Sequence, residues 1–419
     1  MIEIASVISS TKPLTEGQLE QTTEEATTET SIEEVLALVG DKFPNYSLGV
    51  EVSLSAMATL LLQDNANPAF LIKEGPAACG KTTIDNMIGH INGVTVWSDS
   101  FTPRSFLSHR ADCKEEQLQD IDLLRRIRHK VLITPDLAPT LNKRGDDLRE
   151  LIGIITRVLD GQGLETDSGA HGHRSAVGDY LFVWLASTTP LGKIGWSEIG
   201  KAGTRTLIFD LPRNGRHSEA DDLLANILGR ETYREKVTEC RKVVNNFIVQ
   251  LIERYGNVRG VTWPRNDDVR LLRAIESLTK LCVDWRAMSQ QGEDIIKDSP
   301  QRHIVLLYNL ARGHALLYDR LELTEDDVTI VARIATDSIP HWRRPILRAM
   351  IREWRLDTPR IQRITGVSRT TALGYMEELA AVDAVHLDKS EEPWSIEPVK
   401  RHYGMSDTDK RWLWKHLPC

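Results

Sequence analysis

The apolar positions divide the chain into a sparse N-terminal stretch, an alternation of short apolar runs with amphipathic segments, and a long helical tract. Residues 1–30 are rich in Thr and Glu and poor in large apolar side chains. Such a composition buries too little surface to order a chain, and it predicts a disordered tail. At Ser31 the pattern changes. Ser31 and Glu34 have the spacing of a capping box, and Val35, Leu36 and Leu38 follow as an apolar face. A second helical stretch over 52–63 ends in the turn Asp64-Asn65-Ala66-Asn67-Pro68, and residues 69–73 then read as a buried strand. Further apolar runs at 93–97, 130–134, 180–186 and 205–210 alternate with helical patterns. That alternation predicts an α/β fold, a parallel sheet covered by helices. From 219 to 340 the periodicity is helical, and beyond Trp342 the segments shorten and turn basic.

A length of 419 residues suggests about three structural units, and a hydrophobic fraction of 41% supports a real core. No apolar run approaches the roughly 18 residues that span a bilayer, so a helical membrane protein is excluded. The first residues lack the basic and apolar regions of an export signal, and the five cysteines are scattered without a paired spacing. Neither a disulfide framework nor a structural zinc is expected, and a cytoplasmic location is. The net charge of −8 is uneven: residues 1–34 carry eight Glu against one Lys, or −7, leaving about −1 for the remainder. A local basic face on the body is therefore compatible with the acidic total.

The segment Gly75-Pro76-Ala77-Ala78-Cys79-Gly80-Lys81-Thr82 fits G-x-x-x-x-G-K-[ST]. It lies after the buried run and before a helical pattern that opens at Thr83, the context a phosphate-binding loop needs. Glycines let backbone N–H groups turn inward on phosphates, and the following helix N-terminus adds positive potential. Residues 75–83 are thus the expected nucleotide site. Lys81 reaches the β- and γ-phosphates and Thr82 holds Mg²⁺, so ATP and Mg²⁺ are the implied cofactors. Cys79 reads as a small filler of the loop.

A second acid is expected where a strand ends. Val131-Leu132-Ile133-Thr134-Pro135-Asp136 offers a single acid, Asp136, where motors of this type carry two. Asp136 is the second candidate Mg²⁺ ligand and catalytic acid, and capping of a loop is its structural alternative. The run at 180–186 ends in Ser187-Thr188-Thr189, where Thr189 is the candidate sensor of the γ-phosphate, with Thr188 beside it and a plain turn as the alternative.

In this order the pieces resemble an AAA+ ATPase. The stretch Ser299 to Ala315, with Arg302 at its start and Leu310-Ala311-Arg312-Gly313-His314-Ala315 at its end, followed by Leu323 to Val328, resembles the lid of minichromosome-maintenance (MCM) helicases. The resemblance covers about 50–340 and implies a P-loop AAA+ sheet with covering helices, an α-helical lid over 216–340 and a nucleotide-binding domain over 31–215. It makes Arg302 the sensor-2 arginine and Arg205 an arginine finger supplied to a neighbouring subunit, which implies a homo-oligomeric ring, by family analogy a hexamer. A surface ion pair is the structural alternative for Arg205.

Residues 161–179 read as a hairpin with a Gly/His/Arg tip. The resemblance places His171, His173 and Arg174 in a ring pore as DNA phosphate contacts, and an exposed turn is the alternative. Two histidines without further ligands nearby do not predict a metal. The N-terminal DNA-binding tier of MCM proteins has no counterpart here, so either a separate protein supplies one or the chain does a different job with the same motor.

Residues 341–403 read as a winged helix-turn-helix, with a tail at 404–419. Thr358-Pro359 opens one helix, Gly366-Val367-Ser368 forms the turn, and a second helix starts at Arg369. Arg369, Thr370, Thr371 and Tyr375 are the expected major-groove residues, and residues 341–380 hold eight Arg against four acids. An acidic wing at Glu391-Glu392 keeps a protein-contact role open. The functional expectation is an MCM-like motor that translocates on, unwinds or remodels DNA. An ATP-switched DNA-binding initiator, loader or regulator is the first alternative, and a nucleotide-dependent protein-interaction module is the second.

Overall fold

A computed structural model describes residues 29–108, 115–141, 143, 145–168, 172–201, 205–211, 232–288 and 299–399. Residues 1–28 of the expected tail, His171 and the stretch from 400 onward lie outside these.

The described residues begin with the two helices the pattern predicts, α1 (Ile32–Lys42) and α2 (Ser47–Ala58). The capping box at Ser31 closes on both sides, with Glu34 N donating to Ser31 Oγ at 3.2 Å and Ser31 N to Glu34 Oε2 at 2.9 Å. The sheet follows: β1 (Ala69–Glu74), β2 (Thr95–Trp97), β3 (Val131–Thr134), β6 (Val183–Thr188) and β7 (Thr206–Asp210) pair in parallel in the order β2-β3-β6-β1-β7. A separate hairpin, β4 (Gly163–Ser168) and β5 (Gly172–Val177), is inserted before β6. The central strand β1 lies between β6 and β7 and is buried at all six positions, as a strand covered on both faces must be.

Side chains alternate across that sheet. Leu71, Ile133, Leu185 and Phe209 enter one core, and Ile72, Leu132, Trp184 and Ile208 enter the other. In the second core Trp184 stacks on Phe70 with centroids 4.3 Å apart, beneath α4 (Gly145–Val158) and α5 (Lys193–Lys201). The first core lies under α3 (Lys81–Ile88) and continues into a bundle of α6 (Tyr233–Arg254), α7 (Val269–Arg286), α8 (Pro300–Leu317) and α9 (Glu325–Asp337). The helical tract does not stand apart, because α2 packs along α8 with backbone contact. A Cβ on Gly313 would lie 2.2 Å from Ser55 O, so that position takes only glycine.

The last unit holds α10 (Arg344–Glu353), α11 (Thr358–Thr365) and α12 (Arg369–Ala381), with β8 (Leu356–Asp357), β9 (Val385–Asp388) and β10 (Ser395–Pro398) pairing antiparallel in the order β8-β10-β9. Gly366 sits in the left-handed region at φ 71° after α11, and Ser368 caps α12 through Thr371 N. Most boundaries fall within a few residues of the pattern. The main shift is at β6, which runs on to Thr188, because register pairing of Ser187 with Lys73 and Thr188 with Glu74 keeps the polar residues extended.

Candidate functional site

The expected phosphate loop joins β1 to α3, with Pro76, Ala77 and Ala78 exposed. Ala78 and Gly80 take positive φ, 61° and 93°, which bends the backbone into a cradle. Gly80 is sterically required and Gly75 is closely packed. A Cβ on Gly80 would meet the Tyr46 ring at 2.1 Å, and one on Gly75 would meet Cys79 Sγ at 2.5 Å. The Lys81 ammonium turns into the loop and donates to Gly75 O at 2.7 Å and Pro76 O at 2.5 Å. Thr82 is exposed at the start of α3, and Thr83 is buried with its hydroxyl 2.7 Å from that of Tyr233.

The other polar residues expected here reach the same end of the sheet. Gly75 N donates to Thr188 O at 3.2 Å, and Leu137 N donates to Ser187 O at 2.8 Å. Those two bonds bring Thr189, exposed past the end of β6, and Asp136, exposed past the end of β3, to the carboxyl edge that holds the loop. Asp136 Oδ1 accepts from Ala138 N at 2.9 Å, so the capping geometry is formed while the carboxyl stays at the surface.

Beneath the loop lies a set of ionic contacts that periodicity did not single out. Lys73 and Asp85 form a buried ion pair at 2.8 Å, and Ser187 Oγ donates to Asp85 Oδ2 at 2.7 Å. A strand residue, the loop helix and the end of β6 are thereby tied at one point. Glu74, on the other face of β1, accepts from Leu191 N at 2.8 Å and pairs with Arg344 at 2.9 Å. The available signal was a Lys-Glu pair closing an otherwise apolar strand; Asp85 follows Lys73 on the next helix, whereas the partners of Glu74 lie 117 and 270 residues away.

Arg205 and Arg302 lie together at the opposite edge. Arg205 Nε and NH2 donate to Asp160 Oδ1 at 3.1 and 2.9 Å, Arg302 NH1 donates to the same oxygen, and Arg157 approaches Oδ2 at 3.4 Å. Burial pushes the Asp160 carboxyl up, and the bonds from Arg205 and Arg302 outweigh it, holding the acid below its usual range. Three guanidinium groups thus meet on one carboxylate. Phe70 pairs with Thr206 and Glu74 with Asp210, so Arg205 stands level with the start of β1 while the phosphate loop follows its end. Six residues of strand separate the two, about 20 Å at 3.3 Å per residue. The residues expected to be catalytic thus form two groups, one at each edge of the sheet.

The expected DNA contacts are placed less uniformly. His173 is exposed on β5, with Nδ1 3.0 Å from Asp167 Oδ1. Arg174 is half-buried and its Nε donates to Ser108 O at 3.1 Å, so it braces the hairpin against the domain rather than standing free at the tip. Arg369, Thr370 and Thr371 are exposed at the start of α12, with Arg369 NH2 2.5 Å from Glu392 Oε2. Tyr375 differs from expectation. It is half-buried, its ring centroid 5.7 Å from Lys193 Nζ on α5, and Lys193 also pairs with Glu378 at 2.8 Å. That flank of α12 is used to dock the unit on the sheet domain.

No family model matches the chain, and no curated protein does. Among solved structures, one from Cytophaga hutchinsonii described as a "putative ATPase" is 11% identical with a TM-score of 0.41, covering 77% of this chain and 89% of that one. A full-length MCM homolog from Methanopyrus kandleri is 14% identical with a TM-score of 0.44, covering 78% of this chain. This chain spans 62% of the length of that homolog. Both likenesses are distant, and neither bears on activity.

Proposed function

We propose that the chain is an AAA+ type ATPase whose active site is completed between two copies of the chain, and that it acts on DNA. The observation that carries this is the separation just described. A cationic pair, Arg205 and Arg302, lies at the sheet edge opposite the chain's own phosphate loop, too far away to serve it. An assembly in which one copy's arginine cluster faces the next copy's loop gives both groups a purpose, and a closed ring repeats that junction. The loop would hold the triphosphate, and Thr82 with Asp136 the Mg²⁺ that neutralises its charge. Thr189 would sit beside the terminal phosphate, and the arginines would stabilise the charge that develops there. On this reading the bundle of α6 to α9 is the lid, the last unit is a winged helix-turn-helix, and DNA is the partner.

Complementation tests the junction. Lys81→Ala should lose ATP binding. Arg205→Ala and Asp136→Asn should each bind ATP and lose turnover, the arginine variant by about 10³-fold. Mixing the two should restore part of the rate, because a mixed assembly contains junctions with both intact groups. No recovery in mixtures that exchange subunits overturns the proposal.

A second reading, a nucleotide-switched DNA-binding protein without a motor, is favoured by the docking of α12 on α5 and by the fastening of the last unit to β1. Strand displacement on a forked substrate selects the motor, and ATP-dependent DNA binding without displacement selects the switch.

A further inference from the structure

The ion pair beneath the phosphate loop is not explained by stability. Lys73 and Asp85 are 0% and 1% exposed, on a face of β1 that is otherwise apolar through Ala69 and Leu71. Two buried charges lose about as much in desolvation as they gain in attraction, and a well-packed apolar pair holds such a place at least as firmly. What the charged pair supplies is direction. Asp85 Oδ1 meets Lys73 Nζ at 2.8 Å, which leaves Oδ2 to accept from Ser187 Oγ at 2.7 Å. Lys73 and Ser187 are register partners on β1 and β6, so both side chains leave the sheet on the face that α3 covers.

The two residues that end β6 hold both halves of the candidate site. Ser187 O accepts from Leu137 N at 2.8 Å, next to Asp136, and Thr188 O accepts from Gly75 N at 3.2 Å, at the first glycine of the loop. Asp85 follows Thr82 and Lys81 by one helical turn and shares a face of α3 with them. Two other residues of α3 are fastened to the bundle: Thr83 Oγ1 is 2.7 Å from the Tyr233 hydroxyl, and Arg241 Nε donates to Asn86 O at 2.6 Å. The loop helix is thus held by α6 and, through Asp85, by β6.

We propose that Asp85 and Ser187 are positioning residues of the nucleotide site: their hydrogen bond fixes Thr82 on α3 at a set separation from Asp136, so that both serve one Mg²⁺. A hydroxyl and a carboxylate are the oxygen donors that ion takes. Thr82 opens the helix after β1 and Asp136 follows β3, with β6 lying between those strands in the sheet. The spacing of the two donors is therefore set by what fastens α3 to β6, and Lys73 neutralises and aims the carboxylate that receives the bond. Without the bond the phosphates still meet Lys81 and the loop amides, and what is lost is the fixed spacing of the metal donors. This inference rests on the ATPase reading above and adds how donors on separate elements keep one spacing.

The test is the affinity of the full chain for a fluorescent ATP analogue, measured in EDTA and across a Mg²⁺ titration. Wild type should bind more tightly with Mg²⁺. Ser187→Ala should match wild type in EDTA and should need roughly tenfold more Mg²⁺ to reach the tight state, the effect usual for a group that orients a metal ligand. Two neutral pairs control for the buried charge. Lys73→Met with Asp85→Asn keeps an oxygen for Ser187 and should retain the wild-type Mg²⁺ requirement. Lys73→Met with Asp85→Leu removes that oxygen and should match Ser187→Ala. Neither pair leaves a lone buried charge, so both are expected to fold. If wild type binds the analogue under neither condition, the ATPase reading itself fails. If wild type binds with no Mg²⁺ dependence, or if Ser187→Ala and the leucine pair keep its Mg²⁺ requirement or lose affinity with and without Mg²⁺ alike, the positioning role is overturned while the ATPase reading stands.

Discussion

Glu74, the last residue of β1, is bonded through Oε2 to Arg344 NH2 at 2.9 Å, across 270 residues of sequence. Both side chains are buried, and the same guanidinium reaches Asp210 Oδ2 at 2.7 Å and the main-chain oxygens of Ile339 and Asp337. The residue next to the phosphate loop is thereby fixed to the residue that opens the last unit. Arg344→Met would leave Glu74 and Asp210 facing an apolar side chain in the interior. We expect a loss of about 3–5 kcal/mol, read by denaturant unfolding, together with weaker ATP binding. Adding Glu74→Gln should return part of both. A double variant no better than the single would mean that the pair does not act as a unit.

Asp160 holds Arg205 and Arg302 on one carboxylate. Asp160→Asn should cost only about 1 kcal/mol, since the cluster lies near solvent. Its larger effect should be on assembly, because it removes the negative charge that Arg205 and Arg302 share. Sedimentation with an ATP analogue should show stronger self-association than wild type. Weaker association would mean that the carboxylate orders the arginines for their partner.

His314 lies between two acids inside the bundle, Nδ1 2.6 Å from Asp327 and Nε2 3.2 Å from Glu51, which also accepts from Tyr318 at 2.5 Å. Arg320 adds a bond to Asp327 at 2.7 Å. Burial opposes the imidazolium, yet the bonds to Asp327 and Glu51 outweigh it and raise the pKa. Burial likewise opposes the two carboxylates, and His314 holds both below their usual range. The raised histidine stabilises fully below about pH 6.5 and loses its contribution as pH rises through the folded value. The lowered acids contribute above about pH 4.5 and lose theirs as pH falls. Melting temperature should therefore decline on the alkaline side of about pH 6.5. His314→Gln should remove that decline while lowering stability by about 3–5 kcal/mol. A variant that keeps the wild-type slope would assign it to other groups.

Lys193 joins the last unit to α5 through Glu378 and the rings of Tyr375 and Trp342, at 5.7 and 5.9 Å. Exposed pairs and cation–π contacts are each worth about 1 kcal/mol or less, so Lys193→Ala should barely move the melting temperature. Amide hydrogen exchange should nevertheless quicken along α12, because the contact docks one unit on another. Unchanged exchange there would mean that Arg343, buried with its NH1 on the carbonyls of Trp285 and Ala287 at 2.9 and 2.7 Å, holds the units together without it.

The sequence by itself determined the glycine-rich loop after β1, the parallel sheet and the helices of the last unit. Each is written in short-range chemistry: glycines where the backbone must turn left, Lys81 and Thr82 at a helix start, Ser31 and Ser368 as caps, and apolar runs where a strand is covered on both faces. Arg205 and Arg302 are singled out only through the resemblance of their segments to the MCM motor and lid, not by short-range chemistry. Only the tertiary structure decided that the two share Asp160 at the far edge of the sheet, that Tyr375 faces α5, and that Arg174 is tied to Ser108. It alone brought Lys73 to Asp85 and Glu74 to Arg344. A charged side chain carries no sign of which opposite charge will meet it, whether the partner is near in sequence, as Asp85 is to Lys73, or 270 residues away, as Arg344 is from Glu74. Spacing reports what the backbone does over one or two turns, whereas the partner of a buried ion is chosen by the packing of the whole core.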